Sequence, residues 1–191
     1  MRIRLSDPAR DAERAAEIYW PSVEDSYISF EEVAPDAAEM ASRMRATLTR
    51  TPWLVAEEDD GLVVGYAYAS EHRQRAGYRW SVDISAYVDA GFHGRGVGKA
   101  LYAELLGILA RQGFVNVYAG IALPNDASVR LHESIGMSLI GVYERVGFKL
   151  GGWRDVAWYG MRLAEPSGDA LAGPPAEPIT LARLIDPSAP D

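Results

Sequence analysis

From Ser81 to Val88 apolar and polar residues alternate, which predicts a strand with Val82, Ile84, Ala86 and Val88 on one face and Ser81, Asp83, Ser85 and Tyr87 on the other. A glycine-rich turn follows, and Val97, Leu101, Leu105, Ile108 and Leu109 then recur at helical spacing up to a stop at Gly113. Upstream, Asp11 to Trp20 predicts a helix ended by Pro21, and Asp36 caps a second helix with Met40, Met44 and Leu48 on one side. Trp53 to Glu58 and Leu62 to Ala69 read as strands joined across Asp59-Asp60-Gly61. Downstream come a strand over Val115 to Ala122, a short helix from Pro124-Asn125-Asp126 to near Gly136, and strands over Val142 to Phe148 and Trp153 to Leu163. Beyond Ala164 the composition turns to Pro, Gly, Ala and Ser, so one domain is expected over 1–163 and a mobile tail over 164–191.

Composition narrows the function classes. A chain of 191 residues with 48% apolar content can bury one substantial core. The absence of cysteine removes disulfides, thiolate metal sites and a cysteine nucleophile. No apolar run approaches the roughly 20 residues that span a bilayer, and MRIRLSDPAR has no signal-peptide core, so a soluble cytoplasmic protein is expected. The net charge of −8 argues against a nucleic-acid partner.

The turn between strand and helix reads His93-Gly94-Arg95-Gly96-Val97-Gly98. Glycines let backbone amides approach a ligand, and a helix N-terminus with free amides attracts phosphate. A Walker loop is excluded because Gly98-Lys99 is followed by Ala100 in place of Ser or Thr. A dinucleotide fingerprint fails in both registers, since its third glycine would fall on Lys99 or Leu101.

What remains resembles the pyrophosphate loop of the GNAT acyltransferases, which reads Arg or Gln, two residues, Gly, any residue, then Gly or Ala. His93 stands at the first position of that pattern. With WLVAE, GYAYA, IALPNDASVRLHESIGM and GFKLGGWRDV, the chain is similar to the phosphinothricin acetyltransferase branch over about residues 2 to 163. The resemblance implies a mixed α/β fold with a mostly antiparallel central sheet flanked by helices. It also implies acetyl-CoA as donor, the amino group of a phosphinothricin-like or methionine-sulfoximine-like compound as acceptor, and a homodimer. Another small amine or a peptide N-terminus as acceptor, or a catalytically silent CoA-binding domain, stays open. On the donor side the resemblance points to Val88, His93, Gly94, Arg95, Gly96, Val97, Gly98, Lys99 and Asn125, with Arg95 and Lys99 meeting a polyanion in an acidic protein. On the acceptor side it points to Phe30, Arg75, Tyr78 and Ser85. A guanidinium such as Arg75 grips a carboxylate or phosphinate through two parallel hydrogen bonds.

Aminolysis of a thioester requires a proton acceptor, an oxyanion donor and a proton for the leaving thiolate. Asp83, on the polar face of the strand, is the candidate base, at a position where the family has Glu. The side chain is shorter by one methylene, so either a water carries the proton or Asp83 only holds the ammonium; an aspartate on a solvated face is the structural alternative. The resemblance, which has His at the matching position, implies His132 as the donor to the thiolate, its alternative being a helix histidine bonded to a neighbour. His72 and His93 have no ligand-type residues at metal spacing, and no metal is assigned.

Overall fold

The computed structural model describes residues 1–163 and 176–189. The elements are β1 (Arg2–Leu5), α1 (Pro8–Glu24), α2 (Ala37–Leu48), β2 (Trp53–Glu57), β3 (Val63–Glu71), β4 (Ser81–Val88), α3 (Val97–Gln112), β5 (Asn116–Ala122), α4 (Asp126–Ser134), β6 (Ser138–Lys149), β7 (Gly152–Arg162) and α5 (Leu181–Ile185), with single 3₁₀ turns at Ala76–Tyr78 and Ala90–Phe92. The strands form one seven-stranded sheet in the order β1-β2-β3-β4-β5-β7-β6. Every pairing is antiparallel except β4 with β5, so the expected mixed, mostly antiparallel sheet is present.

Each face of the sheet has its own core. Val82 and Ile84 of β4 lie with Leu54, Ala67 and Val117 under α3, whose Leu101, Leu105 and Leu109 are fully buried. On the opposite face Trp53, Val55 and Tyr66 pack under α1 and α2 through Ala15, Val23, Met40 and Met44. The period-two pattern of β4 therefore sorts correctly, and the polar face of Asp83 belongs to the α1/α2 side. That face is not wholly solvated, because Tyr87 packs edge-on against Tyr19 of α1 at 4.7 Å.

Two expectations are corrected. The helix expected to stop at Pro21 begins earlier, capped by Asp7 with Pro8 in its first turn, and passes through Pro21 to Glu24. The lost bond at Pro21 is offset by burial of the next turn, where Val23 is 1% exposed. Residues 176–189, expected within a mobile tail, are docked. Leu181 is buried in the α3 core, and the backbone of Ile179 exchanges bonds with Gln112, whose Nε2 donates to its carbonyl at 2.9 Å while its own N–H donates to the Gln112 carbonyl at 2.8 Å. Trp80 Nε1 donates to the Ala176 carbonyl, and Arg79 pairs with Glu177. Composition averaged over the tail hid the short apolar run Leu181–Ile185. The remainder of the expected tail, 164–175 and 190–191, lies outside the described residues.

Candidate active site

The site begins with a break in the sheet. β4 and β5 pair at only three positions, Ser81 with Asn116, Val82 with Val117 and Asp83 with Tyr118. Beyond them β4 runs on against β3 to Val88, and β5 runs on against β7 to Ala122. Two strands that share a start and then part leave a wedge, and the β4 backbone groups facing it have no strand partner. An open backbone edge of this kind offers free hydrogen-bonding groups, which suits an extended, amide-bearing ligand arm.

At the wide end of the wedge lies the glycine turn. Gly94 and Gly96 have φ of +74° and +81°, a region closed to most side chains, and Gly96 is the N-cap of α3. Gly98 serves a different purpose: an added Cβ would lie 3.0 Å from the Leu131 side chain, so its bareness lets α3 and α4 approach. Val97 is buried at 2% exposure and anchors the turn, while Arg95, lying over the Phe92 ring at 4.8 Å, and Lys99 are exposed beside it. His93 Nε2 donates to the Val88 carbonyl at 2.9 Å, which ties the turn to the end of β4. The first-position departure from the loop pattern thus has a structural use. Asn125 caps α4, its Oδ1 accepting from the Ser128 N–H at 3.1 Å. Open amides, a helix N-terminus and two exposed cations fit a pyrophosphate.

Asp83 sits where the strands part. Its side chain is 24% exposed, and burial raises its carboxyl above the ordinary 3.8, an effect opposed by a 2.6 Å hydrogen bond with His72 Nδ1. The His72 ring lies 4.5 Å from that of Tyr118, with Trp158 of β7 edge-on at 6.2 Å and Tyr78 edge-on at 6.0 Å. Arg73 lies over Trp158 at 5.7 Å, and Trp158 Nε1 is buried without a partner among the described residues. An unsatisfied buried donor in a cluster beside a carboxylate is a place for a ligand acceptor group. Ser85 is engaged by Tyr68 across β3.

Tyr78 is 44% exposed, and the exposed Arg75 caps the 3₁₀ turn before β4, with no side-chain partner among the described residues. Phe30 comes from the connection between α1 and α2 and lies over Gly147 of β6, where an added Cβ would meet its ring at 2.3 Å. Lys149 Nζ holds that connection by donating to the carbonyls of Ser29 at 2.8 Å and Glu31 at 2.6 Å. The structure therefore joins Asp83 with Tyr78 through His72.

His132 stands apart from this cluster. It is 5% exposed on the α3 side of the sheet, with Nδ1 donating to the Ser128 carbonyl at 2.7 Å and Nε2 accepting from the Tyr102 hydroxyl at 3.1 Å. Burial holds its pKa below 6.5. The unfolded chain therefore gains a proton first as pH falls, and stability that is intact above pH 6.5 declines below it. His132→Ala is expected to cost about 1 to 3 kcal/mol, because the buried Tyr102 hydroxyl loses its partner, and to flatten this decline; thermal unfolding from pH 8 to pH 5 checks both.

Sequence reasoning missed His72, Tyr118 and Trp158. The signal for His72 was present: Tyr66, Tyr68, Ser70 and His72 continue one face of β3, and Ser70 pairs with Asp83. Among the described residues no group of three or more His, Asp or Glu side chains is placed to hold a metal.

A parted parallel strand pair ending in a glycine turn at a helix N-terminus, with a carboxylate at the fork, defines a site for transfer from a phosphorylated carrier. In agreement, residues 6–158 match the family model described as the acetyltransferase (GNAT) domain, and the chain belongs to that family. Among its relatives is the phosphinothricin N-acetyltransferase of Streptomyces viridochromogenes, 37% identical over 91% of this chain and 93% of that protein. The L-methionine sulfoximine/L-methionine sulfone acetyltransferase of Salmonella typhimurium is 34% identical over 86% and 96%. The crystal structure of a GNAT superfamily phosphinothricin acetyltransferase from Sinorhizobium meliloti in complex with acetyl-CoA superposes with a TM-score of 0.84 at 36% identity, covering 93% of this chain and 94% of that one.

Proposed function

We propose that the protein moves the acetyl group of acetyl-CoA to the amino group of an amino acid analogue of the phosphinothricin or methionine sulfoximine/sulfone type. The observation that carries this reading is the fork of β4 and β5 at Asp83, which opens toward the glycine turn and is flanked by His72, Tyr118 and Trp158. The relatives' acceptors supply the substrate class.

In this reading the pyrophosphate lies on the amides of the Gly94–Gly98 turn with Arg95 and Lys99 beside it, and the pantetheine arm bonds the open edge of β4. The acceptor amine meets the pair formed by Asp83 and His72, and its acidic end meets Arg75 and Tyr78, with Phe30 closing the pocket. His132 is a positioning residue, because both of its ring nitrogens are already engaged and it fixes α4 against α3. A homodimer is supported by the exposed apolar edge formed by Leu139, Ile140, Val142, Val146 and Phe148 of β6 with Trp153 of β7. No helix among the described residues is long and apolar enough to cross a membrane, and use of acetyl-CoA supports a cytoplasmic site of action.

Arg75→Lys tests the acceptor assignment. A lysine cannot reproduce paired contacts to a phosphinate, and a charge-assisted bond contributes about 1.5 to 3 kcal/mol. The expected result is a fall in kcat/KM at least about tenfold larger for phosphinothricin than for methionine sulfone. An equal fall for both acceptors removes Arg75 from the acidic subsite.

A further inference from the structure

Asp83 Oδ1 is already committed within the protein. It bonds His72 Nδ1 at 2.6 Å, and no other described group bonds the far ring nitrogen, Nε2. A carboxylate facing Nδ1 selects the tautomer with the hydrogen on that atom, which leaves the lone pair on Nε2. The ring is held in one orientation by Tyr118 at 4.5 Å, Trp158 at 6.2 Å and Tyr78 at 6.0 Å. Its side chain is only 14% exposed, and Arg73 Nη1 donates to its carbonyl at 2.7 Å, fixing the backbone as well. A shortened carboxylate and a packed imidazole thus make one unit.

We infer that His72 Nε2, held by Asp83 at Nδ1 and by the surrounding rings, takes the proton from the acceptor ammonium, and that Asp83 is its positioning residue. The inference rests on the acetyltransferase reading and specifies how that site handles protons. The ammonium gives one proton to Nε2, and the freed nitrogen pair forms the N–C bond at the acetyl carbonyl carbon. The C–S bond then breaks with its electron pair on sulfur, a second proton passes from nitrogen to the thiolate, and Nε2 releases the first to solvent. The imidazolium formed in passing is stabilised by the Asp83 carboxylate and by the nearby face of Tyr118, against the repulsion of Arg73. The gap left by the missing methylene is filled by a side chain of the protein itself.

The test uses the purified full chain, acetyl-CoA and phosphinothricin or methionine sulfone. His72→Gln can still donate to Asp83 but cannot take up a proton, and its kcat/KM is expected to fall at least about 100-fold with acetyl-CoA affinity unchanged. His72→Ala is expected to recover part of its activity when free imidazole is added, whereas Asp83→Ala is not. A His72→Gln enzyme within about threefold of wild type would overturn the inference while leaving the acetyltransferase reading intact. If the wild-type chain acetylates neither acceptor, that reading fails, and ring ¹⁵N NMR of the same protein still decides the tautomer. Hydrogen on Nδ1 with a bare Nε2 at pH 8 supports the inference, and hydrogen on Nε2 overturns it.

Discussion

Asp83→Asn is expected to lower kcat/KM for acetyl transfer about 100-fold or more, with acetyl-CoA binding nearly unchanged. The carboxylate stands at the fork where β4 and β5 part, and His72 is its hydrogen-bond partner. An amide in its place has no charge to stabilise a protonated His72. It also presents an N–H to His72 Nδ1, which favours the wrong tautomer of the ring. In the proposed reading donor binding relies on the turn and on the open edge of β4, so it is expected to be insulated from this change. Asp83 is also raised in pKa by its burial, so the wild-type carboxylate carries a desolvation cost that Asn does not, and the variant is expected to be at least as stable. Steady-state kinetics beside calorimetric titration of acetyl-CoA reads both quantities; unchanged turnover would make Asp83 a bystander.

Gly96→Val is expected to weaken acetyl-CoA binding about 10- to 100-fold while the protein stays folded. An added Cβ at Gly96 meets nothing within 4 Å, so the penalty is not a clash within the chain. It comes from φ of +81°, where a β-branched residue is strained by about 1 to 3 kcal/mol. The turn relieves that strain by rotating, and rotation turns its amides away from the pyrophosphate; each tenfold of affinity corresponds to about 1.4 kcal/mol. The α3 core starts at the buried Val97 and continues through Leu101 and Leu105, which keeps the helix in place. Equal affinity in the variant would remove the turn from the donor site.

Much of the fold was legible because local signals and packing agree. The alternation of β4, the cap at Asp36, the αL stop at Gly113 and the cap at Asn125 each act within a few residues, and all four are present. Pro21 misled because a helix can forgo one bond when its next turn is buried. The docked segment 176–189 was hidden because its neighbours in sequence carry the composition of a linker. In the candidate site, the glycine turn was readable from glycine spacing, and the face on which Asp83 lies from strand periodicity. His72 required the pairing of Ser70 with Asp83, a cross-strand register that no single segment encodes. His132 was a candidate through the family resemblance, and its bonds to Tyr102 and Ser128 depend on how α3 and α4 pack.

The fork at Asp83 is expected to support acetyl transfer to an amino acid analogue. Thiol release from acetyl-CoA by the purified chain, followed across phosphinothricin, methionine sulfone, an ordinary amino acid and an alkylamine with the acceptor product identified by mass, decides this. The expected result is one acetyl group on the amine of the analogues and a specificity constant at least about tenfold above that for the alkylamine. Acetyl-CoA binding without an acetylated product from any amine would contradict it and leave a silent CoA-binding domain.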